Sequence, residues 1–199
     1  MKLRVWDLPT RLFHWLLVAA FVGLFITAQI GGGLMAWHAR LGYTVLTLVL
    51  FRLIWGFVGG YWSRFSSFVS GPGSIVRYLK APQQFAHKMG HNPLGSLSVL
   101  ALLLLLLAQA ATGLFANDDI AFTGPLNKFV SDATASLLTK YHKDVGIVAL
   151  YVLIGLHVAA IAFYRWRKHQ DLLGPMIRGD KEVEPRAVLP SKDGAAQRL

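Results

Sequence analysis

Residues 141–164 read YHKDVGIVALYVLIGLHVAAIAFY, an apolar stretch that contains two histidines, His142 and His157. Their spacing corresponds to about four helical turns plus about 60°, so both rings face broadly one side of a helix, roughly 22 Å apart along its axis. A histidine inside a membrane segment is energetically costly and indicates a functional site. This stretch therefore predicts one helix that presents two ligands at two depths.

Composition places the chain among membrane proteins. Of its 199 residues, 54% are hydrophobic, and these come in blocks long enough to cross a bilayer, which takes about 20 residues per helix. We expect four helices, over about 9–30, 36–58, 94–116 and 141–164, in one transmembrane domain of residues 1–170. The first block is longer than the apolar core of a signal peptide, so we expect a retained helix.

Charge predicts the orientation of these helices. The formal net charge is +10, and the Lys and Arg residues lie between and after the apolar blocks. The basic loop 59–93 and the basic run 165–168 indicate the cytoplasmic side. The expected fold is therefore an all-α four-helix bundle with both termini cytoplasmic and no nucleic-acid partner, ending in a partly disordered tail, 171–199.

Two shorter helices are expected outside the spans. Residues 74–79 favour a short helix at the membrane interface, and residues 126–138 have apolar residues spaced for a surface helix. The second of these either lies on lipid or docks a partner. The block 94–116 contains no histidine and is expected to serve packing.

The chain contains no cysteine. Disulfides, thiolate-bound iron–sulfur clusters and covalent attachment of haem through cysteine are therefore excluded. Any redox centre has to be held by histidine or methionine.

The four membrane histidines pair by depth. His14 and His157 lie roughly 8 and 10 Å above the inner ends of the first and fourth helices, so they can share a plane. His38 and His142 lie near the outer ends of the second and fourth helices. Two pairs at two depths are what two stacked bis-histidine haems require.

Neighbouring residues fit this interpretation. Gly42 and Gly146 each follow an outer histidine by four positions, so each leaves room on the ligand's own face for a planar macrocycle. Arg40 lies beside the outer site, where it can pair with a propionate. Arg52 either reaches the level of the inner haem or extends to the inner headgroups.

Other interpretations remain open for these residues. A single membrane histidine can also donate a hydrogen bond between helices, relay protons or bind a non-haem metal. The other histidines, His87, His91 and His169, are expected to be solvated or lipid-facing. The cations Lys140 and Lys143 beside His142 either attract an anionic substrate or partner, or anchor the helix at the interface.

Several motifs of the chain resemble those of the prokaryotic cytochrome b561 family, which includes cytochrome b subunits of nickel–iron hydrogenases. The resemblance is carried by RVWDLPTRLFHW (residues 4–15), His38-x-x-x-Gly42-Tyr43, Arg52-x-x-Trp55-Gly56, Thr112-Gly113, the histidines His142 and His157, and Met176-Ile177-x-Gly179. It implies four helices and two b haems, with His14, His38, His142 and His157 as ligands.

The resemblance also implies a function. Family members in the bacterial inner membrane exchange electrons between quinone and a redox partner, often a c-type cytochrome or a hydrogenase, with no catalytic residue of their own. Some relatives instead oxidise superoxide at the outer face and reduce quinone. A small permease that uses its histidines as proton or metal sites is the third hypothesis.

Overall fold

The computed structural model describes residues 2–85, 90–120 and 122–182 of the chain. His87 and the tail beyond Glu182 lie outside the described residues. The predicted solvation of His87 and the predicted disorder of that part of the tail therefore stay predictions.

Helices dominate the described residues. In chain order the elements are strand β1 (Lys2–Arg4), helices α1 (Leu8–Ile30), α2 (Met35–Val58), α3 (Phe65–Phe68), α4 (Pro72–Lys80), α5 (Pro93–Gly113), α6 (Asp132–Lys140), α7 (Ile147–Arg167) and α8 (Leu173–Arg178), and strand β2 (Asp180–Glu182). Four helical stretches are long and apolar enough to cross a membrane: Leu8–Ile30, Gly32–Val58, Pro93–Gly113 and Asp132–Arg167. The predicted all-α membrane class is confirmed.

Large apolar side chains cover the outside of the spans. Phe57, Leu104 and Leu156 are 74%, 64% and 62% exposed. A water-soluble domain does not leave so much contiguous apolar surface uncovered, whereas a lipid bilayer solvates it.

Local signals determine where the first span begins and ends. Asp7 caps α1, because its Oδ1 accepts a hydrogen bond from the backbone N–H of Thr10 (2.9 Å), and Pro9 occupies the first turn, where its missing N–H costs nothing. At the other end Gly31 adopts a positive φ of 66°, a conformation that glycine reaches without steric cost.

The chain divides into two compact units, and each span contributes residues to both. The first unit takes the described residues within 1–14, 52–100 and 156–199. At its centre lies the carboxylate of Asp7, a side chain that is 4% exposed. Its Oδ2 accepts hydrogen bonds from Trp55 Nε1 (3.0 Å), the Gly60 N–H (3.2 Å) and Ser63 Oγ (2.8 Å). One buried charge thus joins the start of α1 to the end of α2 and the loop beyond it.

The two described ends of the chain meet in this first unit. Strands β1 and β2 pair antiparallel, and Arg4 forms an ion pair with Asp180 (2.6 Å). The carbonyl of Gly179 accepts hydrogen bonds from the N–H groups of Val5 (2.9 Å) and Trp6 (3.1 Å). Residues 2–4 and 180–182 therefore lie on the same side of the molecule, and their cytoplasmic location stays a prediction.

The second unit takes residues 15–51 and the described residues within 101–155. Its larger buried apolar side chains come from α2, α5 and α7: Val45, Val49, Leu103, Leu106 and Leu150. Helices α1 and α2 approach closely at Gly23, where an added Cβ would lie 2.8 Å from Leu41 Cδ1. Edge-to-face aromatic contacts also join α1 to α7, since Tyr151 packs against Phe21 and Phe25.

The structure differs from the predicted element boundaries in two places. Helix α5 ends at Gly113 rather than near residue 116, because the backbone beyond it bonds to a later loop: Leu126 N–H to Leu114 O (2.9 Å) and Gly124 N–H to Ala116 O (2.7 Å). The predicted surface helix 126–138 begins at Asp132 and continues through a π-helical turn, Tyr141–Gly146, into α7. No proline interrupts this continuation. The predicted interfacial helix at 74–79 is present as α4.

The Asp7 carboxylate allows a test of the first unit. We expect Asp7→Ala to lower the free energy of unfolding by about 3 kcal/mol or more, because several buried donors lose their charged acceptor. Unfolding of the detergent-solubilised protein by increasing SDS measures this. Asp132→Ala, which removes an exposed carboxylate from the first turn of α6, is the control and should cost less than about 1 kcal/mol. Equal effects of the two variants would contradict the structural role of Asp7.

Candidate functional site

The first unit brings His14 and His157 together. His14 lies on α1 and His157 on α7, and the centres of their rings are 6.5 Å apart with the planes tilted by 50°. Both side chains are partly buried. This is the inner pair that the depth argument predicts.

The same unit contains the buried guanidinium group of Arg52 and the half-buried side chain of Arg11. Arg52 is 2% exposed; its Nη2 donates to the carbonyl of Ser63 (3.0 Å), and it stacks against Phe65 (5.1 Å). Its Nη1, like Nε of Arg11, is buried without a hydrogen-bond partner among the described residues. Arg52 therefore does not extend to the headgroups. A buried cation with a free donor favours an anionic ligand such as a carboxylate.

The second unit brings His38 and His142 together. His38 lies in the first turn of α2 and His142 in the π-helical turn before α7. Their ring centres are 6.3 Å apart and their planes are nearly perpendicular, at 84°. This is the predicted outer pair.

Backbone carbonyls of neighbouring helices hold both outer rings. His38 Nδ1 lies 3.2 Å from Leu24 O on α1, and His142 Nδ1 lies 2.9 Å from Gln109 O on α5. A carbonyl oxygen only accepts hydrogen bonds, so each Nδ1 carries the proton and each Nε2 keeps its lone pair. A histidine that donates through one nitrogen and keeps the other unprotonated is prepared to bind a metal.

The ring spacings fit a metal between each pair. Metal–imidazole bonds are about 2 Å long and a ring nitrogen lies about 1 Å from its ring centre, so two imidazoles on opposite sides of one metal have centres about 6 Å apart. Both pairs have this spacing, at 6.5 and 6.3 Å. Two nitrogens on opposite sides suit a haem, whose macrocycle supplies the remaining four ligands.

The two glycines that the sequence assigned to macrocycle clearance differ from each other. An added Cβ at Gly42 would meet nothing within 4 Å, so the space beside His38 on α2 is open. At Gly146 an added Cβ would lie 2.0 Å from Gln109 Oε1. The macrocycle clearance at Gly146 stays a prediction; in the structure its missing side chain makes room for Gln109, whose Nε2 donates to the carbonyl of His142 (2.7 Å).

A family model for prokaryotic cytochrome b561 matches residues 5–179. The chain belongs to the prokaryotic cytochrome b561 family. Membership indicates a multi-pass membrane protein that binds haem b and transfers electrons. No curated protein and no solved structure matches the chain significantly.

Several motif residues that resemble those of cytochrome b561 have structural roles here. Asp7 organises the first unit. The carbonyl of Gly179 accepts hydrogen bonds from the N–H groups of residues 5 and 6. The φ of Gly179 is 93°, and an added Cβ there would lie 2.9 Å from Trp6 O. Gly113 lies against the ring of His142, because an added Cβ would be 3.0 Å from His142 Cε1. In the Thr112-Gly113 motif, therefore, the glycine supports a candidate ligand.

Sequence reasoning missed three residues around the outer pair. Gln109 and Thr112 were assigned to packing, and Thr27 was not singled out, yet all three lie within hydrogen-bond distance of His38 or His142. The available signal was their polarity, since each interrupts an otherwise apolar span. It did not indicate which histidine each would meet.

The structure also locates the remaining candidates. His91 was expected to be solvated or lipid-facing, but it packs between Trp6 and Phe68, with ring centres 4.7 Å away in both cases; that expectation is wrong. His169 is exposed, as predicted. Arg40 is exposed in the same unit as His38, and its guanidinium lies 4.8 Å from the centre of the Trp37 ring.

The open space beside Gly42 provides a test of cofactor placement. We expect Gly42→Leu to lower the haem content of the purified protein by about half, since the new side chain would occupy the macrocycle's place, while folding is retained. Gly155→Leu is the matched control, because an added Cβ at this glycine also meets nothing within 4 Å. Haem and protein are quantified together after purification. Full haem content in Gly42→Leu would place the macrocycle elsewhere.

The contact between Gly146 and Gln109 predicts an interaction between two substitutions. Gly146→Ala alone should destabilise the protein by about 1–3 kcal/mol, because the methyl group displaces the Gln109 amide. In a Gln109→Ala background the same change should be neutral, or stabilising by up to about 1 kcal/mol, since alanine favours a helix over glycine. SDS unfolding of the four proteins gives the coupling energy. Additive effects would contradict the contact.

Proposed function

We propose that this chain is a transmembrane electron conduit that holds two b haems, one between His14 and His157 and one between His38 and His142. The observation that carries the proposal is the spacing within each pair, 6.5 and 6.3 Å between ring centres. Both pairs also join the helices that the depth argument matched, α1 with α7 and α2 with the π-helical turn before α7. The family assignment adds haem-based electron transfer and disfavours the permease hypothesis.

Different residues of the chain have different roles at the proposed haem sites. When bound, haem would supply an iron that gains and loses one electron, and the two histidines of each pair would hold it in a way that favours electron transfer over oxygen binding. The carbonyls of Leu24 and Gln109 keep Nδ1 of the outer histidines protonated, which directs Nε2 toward the metal. Arg52 offers its buried guanidinium to a propionate in the first unit.

Electrons would cross the membrane between the quinone pool and a redox partner protein. The continuous helical stretch Asp132–Arg167 contains one histidine of each pair, so a single element contributes to both haem sites. We propose a c-type cytochrome or a hydrogenase-like protein as the partner, and the bacterial inner membrane as the location. Exposed cations at the end of α4 and of α7, Arg77, Lys80, Arg165 and Arg167, support a cytoplasmic position for those ends.

A superoxide:quinone oxidoreductase on the same scaffold is the second candidate. Lys140 and Lys143 are both exposed and flank His142 in the sequence, and their charge would attract a small anion. The two functions differ in what exchanges electrons with the chain besides quinone: a redox partner protein for the conduit and superoxide for the enzyme. Mixing the purified protein with superoxide and a quinone separates them: superoxide-dependent quinone reduction above the uncatalysed rate supports the enzyme, and its absence supports the conduit.

Spectroscopy tests the haem pairing. We expect the reduced-minus-oxidised visible spectrum of the purified protein to contain two b haems per chain. His14→Ala and His157→Ala should each remove one and the same haem, whereas His38→Ala and His142→Ala should each remove the other, because each haem depends on both of its imidazoles.

His169→Ala is the control for these variants, since His169 is exposed, and it should retain both haems. A colourless wild-type protein would contradict the proposed function. Loss of one haem in both His14→Ala and His38→Ala would contradict the pairing.

A further inference from the structure

The outer histidine of α2 meets a threonine as well as a carbonyl. His38 Nδ1 lies 3.2 Å from Leu24 O and 3.2 Å from Thr27 Oγ1, both on α1. The hydroxyl of Thr27 is itself 2.8 Å from Gly23 O and 3.1 Å from Leu24 O. Thr27 is 7% exposed, so water does not compete freely for these groups.

His142, the outer histidine in the π-helical turn, likewise meets a carbonyl and a threonine hydroxyl, here on α5. His142 Nδ1 lies 2.9 Å from Gln109 O and 3.5 Å from Thr112 Oγ1. The hydroxyl of Thr112 is 2.8 Å from Ala108 O and 3.0 Å from Gln109 O. In both places the ring nitrogen meets a threonine and the carbonyl three residues before it.

Proton counting fixes the direction of these bonds. Each threonine hydroxyl has one proton, and the shortest distance, 2.8 Å, leads to the carbonyl four residues earlier. The lone pairs of the hydroxyl then face the histidine. The Nδ1–H of the histidine is therefore shared between a carbonyl oxygen and a hydroxyl oxygen, and both act as acceptors.

The Nδ1–H of His38 and that of His142 differ in how evenly each is shared between its carbonyl acceptor and its hydroxyl acceptor. At His38 the carbonyl and the hydroxyl are equally distant, at 3.2 Å. At His142 the carbonyl is at 2.9 Å and the hydroxyl is at 3.5 Å, the limit of a hydrogen bond. By distance, Thr27 is as close an acceptor to His38 as the Leu24 carbonyl is, whereas Thr112 is at the limit of a hydrogen bond to His142.

We propose that Thr27 is a positioning residue for His38, which fixes the plane of its ring and tunes the reduction equilibrium of the haem bound between His38 and His142. This inference rests on the proposed haem site. An acceptor on Nδ1–H makes an imidazole a more basic ligand, and a more basic ligand stabilises the oxidised iron. The acceptors of His38 lie on α1 and those of His142 on α5, and the two ring planes are nearly perpendicular, at 84°.

The test removes the hydroxyl and keeps the shape. Thr27→Val should shift the one-electron reduction equilibrium of the outer haem toward the reduced form by about 3- to 10-fold, up to about 59 mV, since one of two equal acceptors is lost. Thr112→Val should shift it less. Thr27→Ser restores the hydroxyl and should behave as the wild type.

The measurements are a redox titration and a low-temperature electron paramagnetic resonance spectrum of the purified protein. The outer haem is the one that disappears in His38→Ala. Its g anisotropy should change in Thr27→Val, because the His38 ring loses one of its two acceptors, while the signal of the inner haem stays constant. Thr47→Val is the matched control: Thr47 makes the same bond to a carbonyl four residues earlier, Tyr43 O (2.9 Å), on an exposed face of α2.

Each outcome has a defined meaning. Full haem content with unchanged titration and spectrum in Thr27→Val would overturn the inference and leave the haem site intact. A larger shift in Thr112→Val than in Thr27→Val would also overturn it. Loss of the outer haem in Thr27→Val but not in Thr27→Ser supports the inference, whereas loss in both contradicts it. Absence of the outer haem from the wild-type protein would contradict the proposed function itself, and with it this inference.

Discussion

An imidazole in a membrane span has two nitrogens to satisfy and little water to satisfy them with. At the outer pair Nδ1 meets the backbone carbonyl of a neighbouring helix. A helical carbonyl has a second lone pair beyond its own helical bond, so it can accept without breaking the helix that supplies it. This bond fixes the proton on Nδ1 and the ring against a particular turn. The neighbouring spans must then pack in one register, because a shift along the axis would separate ring from carbonyl.

Close packing at these turns depends on small residues. Gly113 allows the ring of His142 to approach α5, and Gly146 allows the Gln109 side chain to cross the π-helical turn. The turn and the glutamine act together, since Gln109 accepts from the ring through its own carbonyl and donates through its amide to the carbonyl of His142. One residue of α5 thus holds a candidate ligand at both its ring and its backbone, which reduces the conformational entropy lost when a cofactor binds.

Sequence predicted the parts of this arrangement that depend on length and periodicity. The constant rise of a helix gives depth from residue number, so residue numbers alone match His14 with His157 and His38 with His142. Contacts to backbone carbonyls have no such rule, because every residue has a carbonyl and Leu24 looks like any other apolar residue. His91 was misassigned for a related reason: the polar segment around it suggested solvent, and only the tertiary structure places Trp6 and Phe68 on either side of it.

The two histidine pairs are supported by different chemistry. The first unit buries the carboxylate of Asp7 and the guanidinium of Arg52, whereas the second unit surrounds its pair with neutral acceptors, the carbonyls and hydroxyls of α1 and α5. A buried cation favours the reduced state of a cofactor that lies beside it, a buried carboxylate opposes that effect, and an acceptor on Nδ1–H favours the oxidised state. Two sites with identical ligands can therefore differ in electron affinity. If each pair binds a haem, as we propose, such a difference would favour one site for the electron, and the residues that create it lie outside the set of ligands.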